Sequence, residues 1–156
     1  MTPPDIMDPA AIDRALGYLL KRVYQDAVGA MEPLFVGSDL TLTQWTALVS
    51  IYLGVGVTCA ALAKDLGHDM GATSRVIDVL ERRGLVTRRR DDADRRVVRI
   101  ALTPLGLERA AAHRERLLAR WRDLLADWPE EEVEALVAGL RKLRHTLDTK
   151  TRESPA

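Results

Sequence analysis

Arginine side chains are concentrated in one short stretch near the middle of this 156-residue chain. Residues 82–99 contain eight arginines against three aspartates, although the chain as a whole has no net charge. A guanidinium group binds phosphate oxygens and the edge of guanine through paired hydrogen bonds, so a local excess of arginine is typical of a nucleic-acid-binding surface. Residues 1–63 carry only three basic residues against six acidic ones, which confines the predicted surface to this stretch.

A second group with suitable chemistry comes just before the arginines. The DNA-binding candidates here are Asp69 and the small or polar residues after it, which are inexpensive to leave exposed: Met70, Gly71, Ala72, Thr73, Ser74 and Arg75. On a helix that enters the major groove, such residues contact base edges: methyl groups meet thymine, and arginine binds guanine or phosphate. The alternative is an ordinary exposed helix face, and for Ser74 and the neighbouring His68 a phosphate contact and no contact are both open.

Two short helices are predicted to hold these residues. Thr58 is a helix N-cap and Gly67 the corresponding stop, and Asp69 then caps a second helix that ends at Gly84. The turn between them is about three residues long, which is the spacing of a helix-turn-helix.

A β-hairpin is predicted to follow this helix pair. Residues 85–90 and 97–102 alternate apolar and polar side chains as half-buried strands do, and the polar run 91–96 forms the tip between them. Val55 and Val57 suggest a short third strand beside the hairpin.

Long amphipathic helices are predicted on both sides of this unit. The first opens at Asp8-Pro9 after a loose tail and ends near Pro33, and a capping box at Thr41 opens another helix. After the hairpin, Thr103-Pro104 opens a helix that runs to about Ala126. A last helix begins at Trp128-Pro129, and residues 149–156 are predicted to be a frayed tail. The predicted fold is therefore mainly α with a small antiparallel β-hairpin wing.

The chain resembles the MarR family of bacterial transcription regulators over roughly residues 9–148. Three motifs carry the resemblance: Leu80-Glu81-Arg82-Arg83-Gly84-Leu85-Val86 at the end of the second helix, Asp94-Arg95-Arg96 in the hairpin tip, and Leu102-Thr103-Pro104-Leu105-Gly106 after it. The resemblance implies a single winged helix-turn-helix domain over residues 1–156. Residues 9–36 and 104–148 would be dimerisation helices, and residues 41–103 the DNA-binding lobe of a homodimer.

The tip of the wing is predicted to grip the minor groove. Arg95 and Arg96 are the candidates for insertion there, because the negative potential of the groove attracts arginine. By position in the motif, Arg96 matches the arginine of the family and Asp94 the aspartate that would orient it. Arg88 and Arg90 share one face of a strand and are further candidates for phosphate contact, although pairing with Asp91 or Asp92 is the alternative. For the whole tip, the competing interpretation is a solvated turn with weak ion pairs.

The resemblance also implies a small-molecule signal that alters the spacing of the two lobes. A pocket for an aromatic effector would be lined by aromatic and imidazole groups, and the candidates are Tyr18, Trp45, Tyr52, His113 and Trp121. The alternative for each of them is a place in the core or in the subunit interface. The identity of the effector is left open.

Several other classes of protein are disfavoured. The chain has one cysteine, Cys59, which suits a reducing compartment and is more typical of a packed residue than of an oxidant sensor. No apolar run reaches 18 residues and no signal peptide is seen, so we expect a cytoplasmic location. His68, His113 and His145 have no metal-ligand spacing, and no catalytic motif is present, so we expect neither an enzyme nor a cofactor. A winged helix that contacts only protein is the remaining rival.

Overall fold

A computed structural model describes residues 15–153 of the chain, which in this range consists of six α-helices and one β-hairpin. In chain order the elements are α1 (Leu16–Met31), α2 (Leu42–Tyr52), α3 (Cys59–Leu66), α4 (Met70–Arg82), β1 (Val86–Arg90), β2 (Val98–Leu102), α5 (Pro104–Leu124) and α6 (Glu130–Glu153). A short 3₁₀ helix, Glu32–Phe35, directly follows α1. The mainly α fold with a hairpin wing is therefore confirmed.

The chain divides into two compact units, one up to Leu117 and the other from Leu118 onward. The first unit contains the helix-turn-helix and the hairpin, and the second contains the end of α5 and all of α6. Within the described residues, no helix is both long and apolar enough to cross a membrane.

The helix boundaries follow the capping residues that the sequence presents. The hydroxyl of Thr41 accepts a hydrogen bond from the backbone of Gln44, whose side chain bonds back to Thr41 as a capping box. Thr58 accepts from the amide of Ala61 at the start of α3. Gly67 ends α3 with φ of 64°, a left-handed conformation that glycine adopts without steric cost, and the chain re-enters a helix three residues later.

One hydrophobic core holds the helix-turn-helix and the hairpin together. Its fully buried large side chains come from the loop before α2 and from α2, α3, α4 and β1: Leu40, Leu48, Leu62, Ile77, Leu80 and Val86. Ile100 of β2 and Ala110 of α5 belong to the same cluster. Because burying side chains of this size contributes about 1.5–3 kcal/mol each, the orientation of α4 is set by packing rather than by its exposed face.

The two strands form an antiparallel hairpin in which Val86 pairs with Leu102 and Arg88 with Ile100. The predicted third strand at Val55 and Val57 is wrong. The carbonyl of Val57 accepts one hydrogen bond from the amide of Ile100, at 2.8 Å, but the surrounding residues form bends and turns. Gly54 and Gly56 flank Val55, and their conformational freedom disfavours an extended ladder there.

The outer helices differ in part from expectation. The predicted tail 1–7 and the helix start at Asp8-Pro9 lie outside the described residues. The frayed tail predicted from Thr149 is wrong up to Glu153, because α6 continues that far. No glycine or proline interrupts residues 147–153, so nothing in the sequence stops the helix there.

Candidate nucleic-acid interface

The start of α4 is held by Asp69, whose carboxylate accepts a hydrogen bond from the amide of Ala72 at 2.8 Å. This bond, supported by the charge of Arg75, holds the pKa of Asp69 below its ordinary value. The carboxylate therefore remains ionised as a cap, and its first task is to begin the helix. Because it serves as the cap, Asp69 positions the neighbouring side chains.

Most of the first two turns of α4 faces outward. Met70 is 52% exposed, Gly71 and Arg75 are exposed, and Ala72 and Ser74 are half-buried. We call Met70, Gly71, Ala72, Ser74 and Arg75 the reading face. Arg75 has no ion pair with another residue that the structure describes, so its guanidinium is available to a ligand.

Thr73 does not belong to this face, which corrects the sequence-based candidate set. Its side chain is fully buried, and its hydroxyl donates a hydrogen bond to the carbonyl of Asp69 at 2.9 Å. Position 73 falls on the side of α4 that packs into the core with Ile77 and Leu80, and a buried hydroxyl forms this bond with its own helix because it reaches no water. Thr73 therefore stabilises the helix start from inside.

The hairpin tip contains two adjacent arginines that differ in their ion pairing. The guanidinium of Arg96 binds Asp94 in a fork, with Nε at 3.1 Å from Oδ1 and Nη2 at 3.2 Å from Oδ2. Its side chain is nonetheless 92% exposed, and the paired bonds hold the pKa of Asp94 below its ordinary value. Arg95 is exposed and has no ion pair among the described residues. The geometry predicted for the Asp94–Arg96 pair is present, with Asp94 orienting the arginine.

Asp91 organises the tip, a role that the sequence-based reasoning missed. One carboxylate oxygen accepts from the amides of Ala93 (2.9 Å) and Asp94 (3.1 Å), and the other accepts from Nε of Arg99. These bonds, led by that of Arg99, lower the pKa of Asp91 to about 2. An aspartate whose side chain bonds amides two and three residues ahead is a recognisable turn motif, and the Asp-Asp-Ala-Asp run is the signal that was available.

Arg88 and Arg90 differ although they share a face of the strand. Arg90 is exposed and has no ion pair with the described residues. Arg88 is 30% exposed and is bound to two carboxylates of α4, Asp78 at 2.6 Å and Glu81 at 2.9 Å. The prediction that Arg88 contacts DNA is not supported by this geometry, because its guanidinium is already satisfied within the protein.

The five residues predicted to line an effector pocket have different surroundings. Trp45 donates its indole N–H to the carbonyl of Ala110 at 3.0 Å, and Tyr18 is exposed on α1. Trp121 lies in the second unit and is 40% exposed. Only Tyr52 lines the cavity described below.

His113 is buried, and each of its two ring nitrogens has a hydrogen-bond partner. Its Nδ1–H donates to the carbonyl of Arg109 at 2.9 Å, and its Nε2 lies 2.6 Å from the hydroxyl of Ser38. The ring stacks on Phe35 at a centroid distance of 5.3 Å. These contacts place His113 in the core beside Asp39, whose carboxylate also lies 3.5 Å from Arg83 and from Arg109.

An open, mainly apolar cavity of about 440 Å³ lies between the end of α2 and the first turns of α5. It is lined by Val49, Tyr52, Leu53, Leu107, Ala110, Ala111 and Arg114. Its size is in the range of small-molecule sites, and Arg114 supplies a cation among otherwise apolar and aromatic groups.

Comparison with known proteins gives concordant matches. The model of the MarR family matches residues 40–98 of the chain, from α2 to the start of β2. Wild-type MarR from E. coli, in its apo form, is 28% identical; the match covers 82% of this chain and 96% of that chain, with a TM-score of 0.72.

Two further matches were solved with ligands. The transcriptional repressor CouR bound to a 23-mer DNA duplex is 27% identical, with 83% of this chain and 92% of that chain covered and a TM-score of 0.67. CouR from Rhodococcus jostii RHA1 bound to p-coumaroyl-CoA is 28% identical, with 85% and 94% covered and a TM-score of 0.69.

Proposed function

Because the chain belongs to the MarR family of winged-helix transcription regulators, we propose that it is a homodimeric repressor released from its DNA operator by a small-molecule effector. The operator would be a pseudo-palindromic duplex, since two identical subunits present two identical reading faces. In this proposal α4 is the recognition helix and the hairpin is the wing, within a single domain that works in the cytoplasm as a regulator rather than an enzyme.

The observation that carries the proposal is the exposed reading face of α4 next to a wing tip rich in exposed arginine. Met70, Ala72 and Arg75 would supply contacts to base edges, and Arg90, Arg95 and Arg96 would supply contacts to phosphates and the minor groove. Base contacts would select the sequence, while the arginines would provide most of the salt-dependent affinity. Structural neighbours include a repressor solved on a DNA duplex, which supports this use of the fold.

Exposed apolar side chains on the outer helices support a dimer. On α1 they are Leu16, Leu19, Val23 and Tyr24, and on α6 they are Leu136, Val137, Leu140 and Leu147. Amphipathic helices that leave such rows in water are typical of subunit interfaces. The dimer would place two recognition helices about 34 Å apart, in successive major grooves.

The cavity between α2 and α5 is the proposed effector site. Its apolar walls and Tyr52 suit an aromatic or acyl group, and Arg114 suits an anionic group on the same ligand. A structural neighbour solved with p-coumaroyl-CoA, which combines these features, supports this ligand class. The effector would stabilise a dimer geometry with the wrong spacing between the lobes and so lower the affinity for DNA.

Selection of bound sequences from a pool of random duplexes tests the DNA-binding half of the proposal. We expect an enriched site with two-fold symmetry and half-sites one helical turn apart, which report the dimer directly. The double variant Arg95→Ala/Arg96→Ala should lose most of the affinity, and Arg141→Ala, an exposed arginine on α6, is the matched control. Binding without sequence preference, or unchanged by the wing variant, would contradict the proposal and favour a winged helix that contacts only protein.

Displacement of the protein from the selected duplex tests the effector half of the proposal. Fluorescence anisotropy would follow release of the labelled duplex on titration with p-coumaroyl-CoA and with simple aromatic carboxylates as probes. A ligand that acts in the cavity should lose effect in Ala111→Trp, which fills it, and should weaken in Arg114→Met. Release that persists unchanged in both variants would place the effector elsewhere.

A further inference from the structure

The side chain of Arg88 connects the wing to the recognition helix. Arg88 lies on β1, on the same face as the buried Val86, and projects toward α4. Its Nη2 is 2.6 Å from Oδ1 of Asp78, and its Nη1 is 2.9 Å from Oε2 of Glu81. Asp78 and Glu81 are three residues apart, so they occupy one side of α4 and receive the two arms of one guanidinium.

The other ion-paired wing arginines are used differently. Arg96 binds Asp94 and Arg99 binds Asp91, and both pairs lie within the hairpin. In the part of the chain that the structure describes, Arg88 is the only wing arginine with ion pairs to α4. The planar fork of arginine suits this task, because it offers parallel donors in fixed directions that an ammonium group does not have.

The local charge also argues against a phosphate contact. Two carboxylates surround one guanidinium, so the cluster of Asp78, Glu81 and Arg88 carries a net charge of −1. A DNA phosphate that approached Arg88 would meet both carboxylates at short range and would have to displace them. Exposed Arg90 and Arg95 are free of this cost.

We propose that Arg88 is a positioning residue that fixes the wing against α4 and makes no contact with DNA. The proposal rests on the proposed function, since it concerns how two DNA-contacting parts are held together. With the pairs intact, the wing tip and the reading face meet the duplex in one fixed arrangement. Without them, the hairpin would have to be ordered during binding, and that cost would appear as lost affinity.

Two substitutions of Arg88 separate positioning from phosphate contact. Arg88→Met removes the charge, whereas Arg88→Lys keeps it but cannot bridge two carboxylates with a fork. A lysine serves well as a point charge beside a phosphate, so it should restore binding if Arg88 is a phosphate contact. If Arg88 is a positioning residue, both variants should bind the selected duplex about tenfold more weakly, as expected for lost charge-assisted hydrogen bonds.

The salt dependence of binding supplies a readout that lost stability alone does not move. Each lost phosphate contact reduces the slope of log K against log salt by about 0.9. We expect the slope of Arg88→Met and Arg88→Lys to equal that of the unmodified protein, whereas Arg95→Met should reduce it. Circular dichroism and sedimentation of each variant confirm that it is folded and dimeric, and Arg88→Lys carries the test if Arg88→Met does not fold.

Three outcomes overturn the proposal. In the first, Arg88→Lys binds the duplex as tightly as the unmodified protein does, while Arg88→Met binds more weakly and with a reduced salt slope. This result would identify a phosphate contact. In the second, both variants bind as tightly as the unmodified protein, which would show that the ion pairs of Arg88 do not matter for binding. The third is failure of the unmodified protein to select any duplex, which removes the proposed function itself and is recognised before any variant is measured.

Discussion

The hydroxyl of Thr103 donates a hydrogen bond to the carbonyl of Gly84 at a distance of 2.6 Å. The same hydroxyl accepts from the amide of Gly106 at 3.0 Å, so that it also caps α5. The side chain of Thr103, which directly follows β2, therefore bonds Gly84, which lies between the end of α4 and the start of β1. The two ends of the wing are thus held together at the first turn of α5.

Substitutions of Thr103 distinguish what these two hydrogen bonds contribute to stability from what the shape of the side chain contributes. Thr103→Val keeps the shape and removes both bonds, and we expect the free energy of unfolding to fall by about 1 kcal/mol, as for loss of a helix cap. Thr103→Ser retains the hydroxyl and should stay close to the unmodified protein. Urea denaturation measures both. Equal stability of the two variants would show that the bonds contribute nothing.

Gly106 is required by the close approach of α5 to the backbone of Leu85. A Cβ at position 106 would lie 2.0 Å from the carbonyl oxygen of Leu85, which is far inside van der Waals contact. Gly106→Ala should therefore destabilise the fold by about 3 kcal/mol, at the upper end of overpacking costs, because the obstacle is backbone.

The matched control for that substitution is Gly29→Ala on α1. Position 29 is exposed, and nothing lies within 4 Å of a Cβ placed there. Removing glycine from a helix should stabilise the protein by about 0.5–1 kcal/mol. Thermal unfolding of both variants should thus show shifts of opposite sign, and a shift of the same size and sign in both would contradict the close approach.

Arg75 is the residue of the reading face with the most specific chemistry. If it binds guanine, Arg75→Ala should cost about 1–3 kcal/mol on the selected duplex and should relax the preference at one base pair of each half-site. If it binds phosphate, the loss should be the same for every sequence and the salt slope should fall. Competition with single-base variants of the duplex distinguishes the two contacts. If Arg75→Ala changes neither the affinity nor the salt slope, Arg75 is excluded from the interface.

The wing tip should be sensitive to acid through Asp91. Its pKa is lowered in the folded protein from 3.8 to about 2, chiefly by the hydrogen bond from Arg99. A carboxylate with a lowered pKa stabilises the fold fully above its unfolded pKa, and this stabilisation is lost as the pH falls from about 4 toward 2.

Comparison with Asp91→Asn isolates this effect. The difference in melting temperature between the unmodified protein and the variant should be constant near neutral pH and should shrink below about pH 4. Amide resonances of Ala93 and Asp94, which donate to the carboxylate, should titrate over the same range. A difference independent of pH would show that the charge of Asp91 does not stabilise the tip.

Most of the fold was predictable because its determinants are local. Caps at Thr41, Thr58 and Asp69 mark where helices begin, since a side chain that bonds the free amides of a first turn acts over three residues. Gly67 marks a stop for an equally local reason, its positive φ. The fork between Asp94 and Arg96 spans only two residues and was predicted with the same success.

The sequence by itself determined the order of the helices, the helix-turn-helix, the wing and the place of its positive charge. Only the tertiary structure decided which charges remain free to bind a ligand. Arg88 and Arg90 are equivalent on an isolated strand, and only the packing of β1 beside α4 brings Asp78 and Glu81 to one of them. For the same reason, only the tertiary structure decided that Thr73 is buried and that His113 lies in the core, which was its alternative place. Burial and long-range pairing depend on which surfaces meet, and residues distant in the chain set those contacts.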